Sequence, residues 1–194
     1  MLEEISLLER KGEKMELVIY PDNKLNKVCE FIDFWKDNED NILENKLFEL
    51  LYRYGGIGLA APQIGILKRA FVMDLMEENG SVITRAVFNP EILEKSDEMV
   101  EMEEGCLSLP GIKIPIKRSK RIKVKYFDGV GKEIIEEFDG LASICAQHEI
   151  DHLGGKILLD YISPLRRNLA DGKIKKIKKG LLKLENETRE YNRL

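Results

Sequence analysis

Only two histidines occur in the 194 residues, and they stand four apart in the run Gln147-His148-Glu149-Ile150-Asp151-His152. On an α-helix four residues advance about 400° and about 6 Å, so both imidazoles leave one face, one turn apart. Two ring nitrogens at that spacing can share one metal ion, with the Glu149 carboxylate beside them to handle a proton. A chain built this way must bury the helix and bring further ligands to it from elsewhere. Residues 141–146 (LASICA) are apolar enough for that burial. Packing alone does not account for both histidines at this interval, so the spacing points to a metal site.

A catalytic metal takes three protein ligands and an open position for water. With no third histidine, the missing ligand is a thiolate or a carboxylate. Cys145 shares nearly the same helix face, but it is about 10 Å along the axis from His152. Bonds of about 2.0–2.3 Å from one ion cannot span that row, so Cys145 reads as a small buried hydrophobe. Cys106 is the better candidate, in residues 104–108 (EGCLS), where Gly105 lets the backbone come close to a site. On these residues alone, ligand and packed core thiol remain equally open for Cys106. Cys29 has no partner pattern.

Residues 56–63 (GIGLAAPQ) carry the spacing G-x-G-x-x-A. A dinucleotide fingerprint follows a strand and opens a helix. Here a helical pattern precedes the glycines and Pro62 interrupts them, so the cofactor reading is set aside. Gln63 is left over: an amide buried among alanines needs a partner, and its N–H can brace a developing oxyanion.

The remaining periodicities place these motifs. Residues 17–20 read as a short strand, and 41–54 as a helix stopped by Gly55-Gly56. Residues 70–75 and 82–88 read as strands flanking a turn at 78–81, with further strands at 122–126 and 133–138. The histidine helix runs from about Gly140 to Gly154-Gly155, and a basic amphipathic helix, broken at Gly172, follows Pro164. Closely spaced strands joined by turns indicate antiparallel sheet and an α+β class. Residues 1–14 form a charged N-terminal extension, and 15–194 a single domain.

At 43% hydrophobic and 34% charged, with a net charge of −4, the chain has the balance of a globular protein without a global drive toward DNA or anionic membrane. No apolar run approaches the roughly 18 residues of a membrane span, and the mixed charges of 1–14 do not make a secretory signal. Three cysteines, odd and sparse, fit a reducing compartment, so the expected location is cytoplasmic.

Segments 56–63, 104–108 and 147–152, in this order, resemble the peptide deformylases, and the resemblance extends over about residues 15–164. It implies a metal-dependent hydrolase that removes the formyl group from the N-terminal formyl-methionine of newly made proteins. The implied fold is α+β, with antiparallel β-sheets surrounding a central HExxH-bearing helix. By the same resemblance Cys106, His148 and His152 are the metal ligands and Glu149 is the general base and acid. Gln63 and the backbone N–H of Leu107 are the oxyanion donors. Ile57, Gly58 and Gly105 line the substrate backbone, and Leu141, Ile144 and Cys145 form the wall of the methionine pocket. The implied ion is Fe²⁺, with Zn²⁺ or another divalent metal able to substitute, and the implied partners are N-formyl-methionyl nascent peptides.

Two rivals share the helix motif. A metzincin-type peptidase needs a third histidine three residues past Gly155, where Leu158 stands. A zinc peptidase with a downstream ligand at Glu185 or Glu187 stays formally open. A structural metal site would want four protein ligands. The crowded cations from Arg166 to Lys183 read either as a solvated face or as an arm that contacts ribosomal RNA near emerging chains.

Overall fold

In the computed structural model, which describes residues 17–34, 40–77 and 79–191, the periodicities resolve into strands, short 3₁₀ turns and three α-helices. The charged extension expected at 1–14 lies outside the described residues. Helix α1 (Asp40–Tyr54) presents Leu43, Leu47, Leu50, Leu51 and Tyr54 at helical spacing. These side chains bury against Leu59, Val72 and Phe88.

Strands β1 (Gly58–Ala60), β2 (Ala70–Met76), β3 (Val82–Lys95), β6 (Arg121–Phe127) and β7 (Glu133–Asp139) form one antiparallel sheet in the order β1-β2-β3-β6-β7. Strands β4 (Met99–Gly105) and β5 (Lys113–Ser119) pair antiparallel as a second, two-stranded sheet. β2 is buried on both faces: Ala70 and Val72 turn to α1, while Phe71 and Met73 join a second cluster. That explains why its sequence reads as a nearly continuous apolar run rather than an alternation.

Helix α2 (Gly140–Leu153) carries the histidines and packs on β1, β2, β6 and β7 of the large sheet and on β5 of the small one. Its Ala142, Cys145, Ala146 and Leu153 bury in the second cluster with Phe71, Val124 and Phe138. Its N-terminus is tied down twice. Asp139 Oδ1 accepts from Gly140 N at 2.7 Å, and Glu77 Oε1, beyond β2, accepts from Ala142 N at 2.9 Å. Both carboxylates accept from amides at the positive end of the helix dipole, and Gly140 N is shared with Lys120 O at 3.0 Å.

Three expectations change. Residues 17–20 do not form a strand. Val18 N donates to Gln63 O at 2.7 Å and Tyr20 N to Ser108 O at 3.0 Å, so the segment is laced to two different loops and has no single ladder partner. β3 continues past residue 88 through a bulge, where Asn89 takes φ +48 and Pro90 offers no N–H. The Asn89 side chain closes the gap with two hydrogen bonds to the backbone of Ile32.

The third change is at Gly172, where helix α3 (Pro164–Tyr191) runs through unbroken. One helical glycine costs only about 1 kcal/mol. Buried Ile174, Lys173 bonded to Gly111 O and Arg167 bonded to Asp160 hold the segment.

Candidate metal centre

Helix α2 delivers His148 and His152, and the turn after β4 delivers Cys106. One donor atom from each lies within 4.8 Å of the others, and all three side chains are buried. Cys106 Sγ stands 3.3 Å from His152 Nε2. Bonds of about 2.0–2.3 Å put neighbouring ligands of a tetrahedral ion about 3.5 Å apart. The donors therefore already stand near the spacing a single ion requires, and a soft thiolate with two imidazoles suits a first-row transition metal. Among the described residues this is the group so placed. The side chains of Glu185 and Glu187 lie outside the described residues.

The two rings are held differently. His148 Nδ1 stands 2.9 Å from Glu104 Oε2, which leaves Nε2 for the cluster. His152 Nδ1 is buried without a hydrogen-bond partner among the described residues. Burial by itself would lower the His148 pKa. Hydrogen bonds with Cys106 and Glu104 outweigh it and raise the imidazole well above its ordinary value. Burial lowers His152 instead, aided by the positive charge on His148 and Arg118. Glu104 is drawn below the usual carboxylate range: burial opposes this, but hydrogen bonds from His148 and Arg118 prevail.

Glu149, also buried, has no hydrogen-bond partner at Oε2 among the described residues. Burial pushes its carboxyl up from 4.5 to about 7, against the lowering influence of His148 and Arg118. A carboxyl tuned there can take and return a proton near neutral pH. Gly58 is the price of this proximity, since a Cβ built on it would lie 2.5 Å from Glu149 Oε1 and 2.7 Å from Cys145 Sγ.

Gln63 finds the partners its burial demands. Its Oε1 accepts from Ala60 N at 2.8 Å, and its Nε2 points to Cys106 Sγ at 3.5 Å and Ser108 Oγ at 3.3 Å. A cavity of about 580 Å³ opens beside the cluster. Ile57, Gly58, Gly105, Leu107, Leu141, Ile144 and Cys145 all border it, together with Gln63, Cys106, His148 and Glu149. His152 sits behind, at 1% exposure. The Cys145 thiol donates to Ile57 O at 3.6 Å, and burial raises its pKa well above normal, as suits an apolar wall. Among the described residues a Cβ added at Gly105 would meet only Ile112 O, at an ordinary contact distance of 3.9 Å. The open side there is the cavity itself.

The motifs did not reveal the residues beneath His148. Arg118, at 4% exposure, forks onto Glu104 with Nε–Oε1 at 2.5 Å and Nη2–Oε2 at 3.0 Å. The available signal was the alternation in β5, which puts Ile114, Ile116 and then an arginine on the inward face. A buried arginine needs a buried acid.

A mixed Cys/His/His donor set beside a raised carboxyl, in an α+β frame, defines a metal-dependent hydrolase of the HExxH kind. The family model for polypeptide deformylase matches residues 14–168. A peptide deformylase of Thermotoga sp. is 46% identical over 156 residues, covering 80% of this chain and 92% of the relative. One from Thermodesulfovibrio yellowstonii is 45% identical over 163 residues, covering 83% and 96%. The crystal structure of peptide deformylase from Ehrlichia chaffeensis superposes with a TM-score of 0.80 at 36% identity, covering 87% of this chain and 98% of that one. The chain belongs to the polypeptide deformylase family, metal-dependent hydrolases that remove the N-formyl group from nascent peptides.

Proposed function

We propose that Cys106, His148 and His152 ligate the catalytic ion, that this ion is Fe²⁺ with Zn²⁺ or another divalent metal able to substitute, and that residues 15–194 act as one catalytic domain. The observation that supports this best is the gathering of these donors within 4.8 Å beside a buried Glu149. A thiolate ligand suits ferrous iron as well as zinc. When bound, the ion supplies a water whose pKa is drawn toward neutrality.

With such an ion held, Glu149 would take a proton from the attacking water as its oxygen adds to the formyl carbon, and would return it to the methionine nitrogen as the C–N bond breaks and formate leaves. Gln63 Nε2–H and the backbone N–H of Leu107 brace the tetrahedral oxyanion, each worth about 3 kcal/mol. Ile57, Gly58 and Gly105 align the extended peptide, and Leu141, Ile144 and Cys145 receive the methionine side chain. The substrate is thus the N-formyl-methionyl end of a nascent chain, and the setting is the cytoplasm. The cations of α3 are proposed to contact ribosomal RNA.

Formate release from a formyl-methionyl tripeptide tests the reading. The anaerobically prepared protein should release formate and leave unformylated peptides intact. Cleavage of internal peptide bonds with the formyl group spared would instead establish the peptidase rival. Deleting residues past Pro164 should weaken ribosome binding in a salt-dependent way, and unchanged binding would retire the contact.

A further inference from the structure

We propose that Asp151 and Tyr161 are positioning residues for the metal centre, acting on His148 through Arg118 and Glu104. The inference rests on His148 being a ligand, as assigned above. The chain of contacts is continuous. Tyr161 Oη donates to Asp151 Oδ2 at 2.5 Å, and Arg118 Nη1 donates to the same oxygen at 2.8 Å. Arg118 then forks onto Glu104, whose Oε2 meets His148 Nδ1 at 2.9 Å.

The geometry makes this a brace rather than a decoration of the surface. Asp151 lies three residues after His148 on α2, so both leave the same helix face. Arg118 comes from β5 and Glu104 from β4, so the brace joins the helix to the small sheet. Tyr161 closes a 3₁₀ turn (Leu158–Tyr161) whose Leu158 and Leu159 are buried in an apolar cluster with Leu25, Leu109 and Ile116. Its ring carries Lys156 Nζ at 3.7 Å and the Arg118 guanidinium at 5.3 Å, two cation–π contacts that steady the phenol.

Without the far end, the guanidinium fork loses one of its two anchors and the Glu104 carboxylate can turn. Outer partners of a ligating histidine set the ring orientation. Among the described residues His152 Nδ1 has no such partner, and the brace acts on the His148 ring.

The test uses the full-length protein loaded with Co²⁺, in Tyr161→Phe and Asp151→Asn, which preserve shape. Chelator competition should show Co²⁺ held about tenfold more weakly, with shifted visible absorption bands. Formate release should lose kcat at unchanged KM, while the metal-free protein melts as before. Native Co²⁺ affinity and spectrum in both variants would overturn the proposal, as would a loss of metal-free stability with unaltered affinity. Should His148→Ala bind Co²⁺ as tightly as the native chain, the ligand assignment itself fails instead.

Discussion

Glu149 is where burial decides chemistry. Its carboxyl titrates at about 7 in the fold and near 4.5 when exposed. Below about 4.5 it is protonated in both states. Above about 7 it is charged in both, and the folded charge is buried. Stability of the metal-free protein therefore falls as pH rises from 4.5 to about 7. Denaturant titrations should find metal-free Glu149→Gln more stable than the native chain by up to about 3 kcal/mol above pH 7, with the gain vanishing in acid. The opposite sign would show that the carboxylate has a partner.

Activity responds in the other sense. Protonated Glu149 cannot accept a proton, so kcat/KM should decline as pH falls through the titration of this carboxyl, at a pH below the metal-free value of about 7 because a bound dication favours the carboxylate. Glu149→Ala should lower kcat by about 10²–10⁴ while one ion per chain is retained, as measured by metal analysis. At this scale the sequence was most legible for residues whose chemistry needs a rare type at a fixed interval: His148, His152 and Glu149. Arg118 and Asp151 stayed hidden because their partners come from other elements, and no local spacing records them.

Among the elements, α2 depends on carboxylates at its start. Removing the Glu77 side chain by Glu77→Ala should cost about 1 kcal/mol in chemical denaturation, a typical cap loss, and leave metal stoichiometry unchanged. Helix α3 is more than a solvated basic face, since Ile174 is 1% exposed in the cluster of Leu109, Ile112 and Leu158. Ile174→Ala should cost about 2–4 kcal/mol; a loss under about 0.5 kcal/mol would place α3 off the body of the protein.

α1 and β6 could be read from their periods because each buries one regular face, whereas β2, buried on both faces, and α2, buried almost all round, read as apolar runs. β4 could not: its sequence MVEMEEG has one buried side chain, Glu104, and no apolar alternation. β5 alternates, but Pro115 masks it; the proline is tolerated where only one partner strand is paired.

On the scale of the whole molecule, two sheets pack on one helix, which brings residues from Ile57 to Glu149 to one cavity with His152 behind it. The α+β class and the antiparallel pairing were evident from strand spacing. The split into five strands and two was not, because the register follows from cross-chain pairing that no single segment encodes. The same long-range closure makes Cys106 a ligand candidate, since only tertiary structure brings it to the histidines.

X-ray absorption fine structure at the metal edge of the intact, anaerobically purified protein tests that closure most directly. One sulfur at about 2.3 Å and two imidazole nitrogens at about 2.0–2.1 Å are expected, with the sulfur lost in Cys106→Ser. A native spectrum without sulfur, or one unchanged by that substitution, would contradict a centre built from Cys106, His148 and His152.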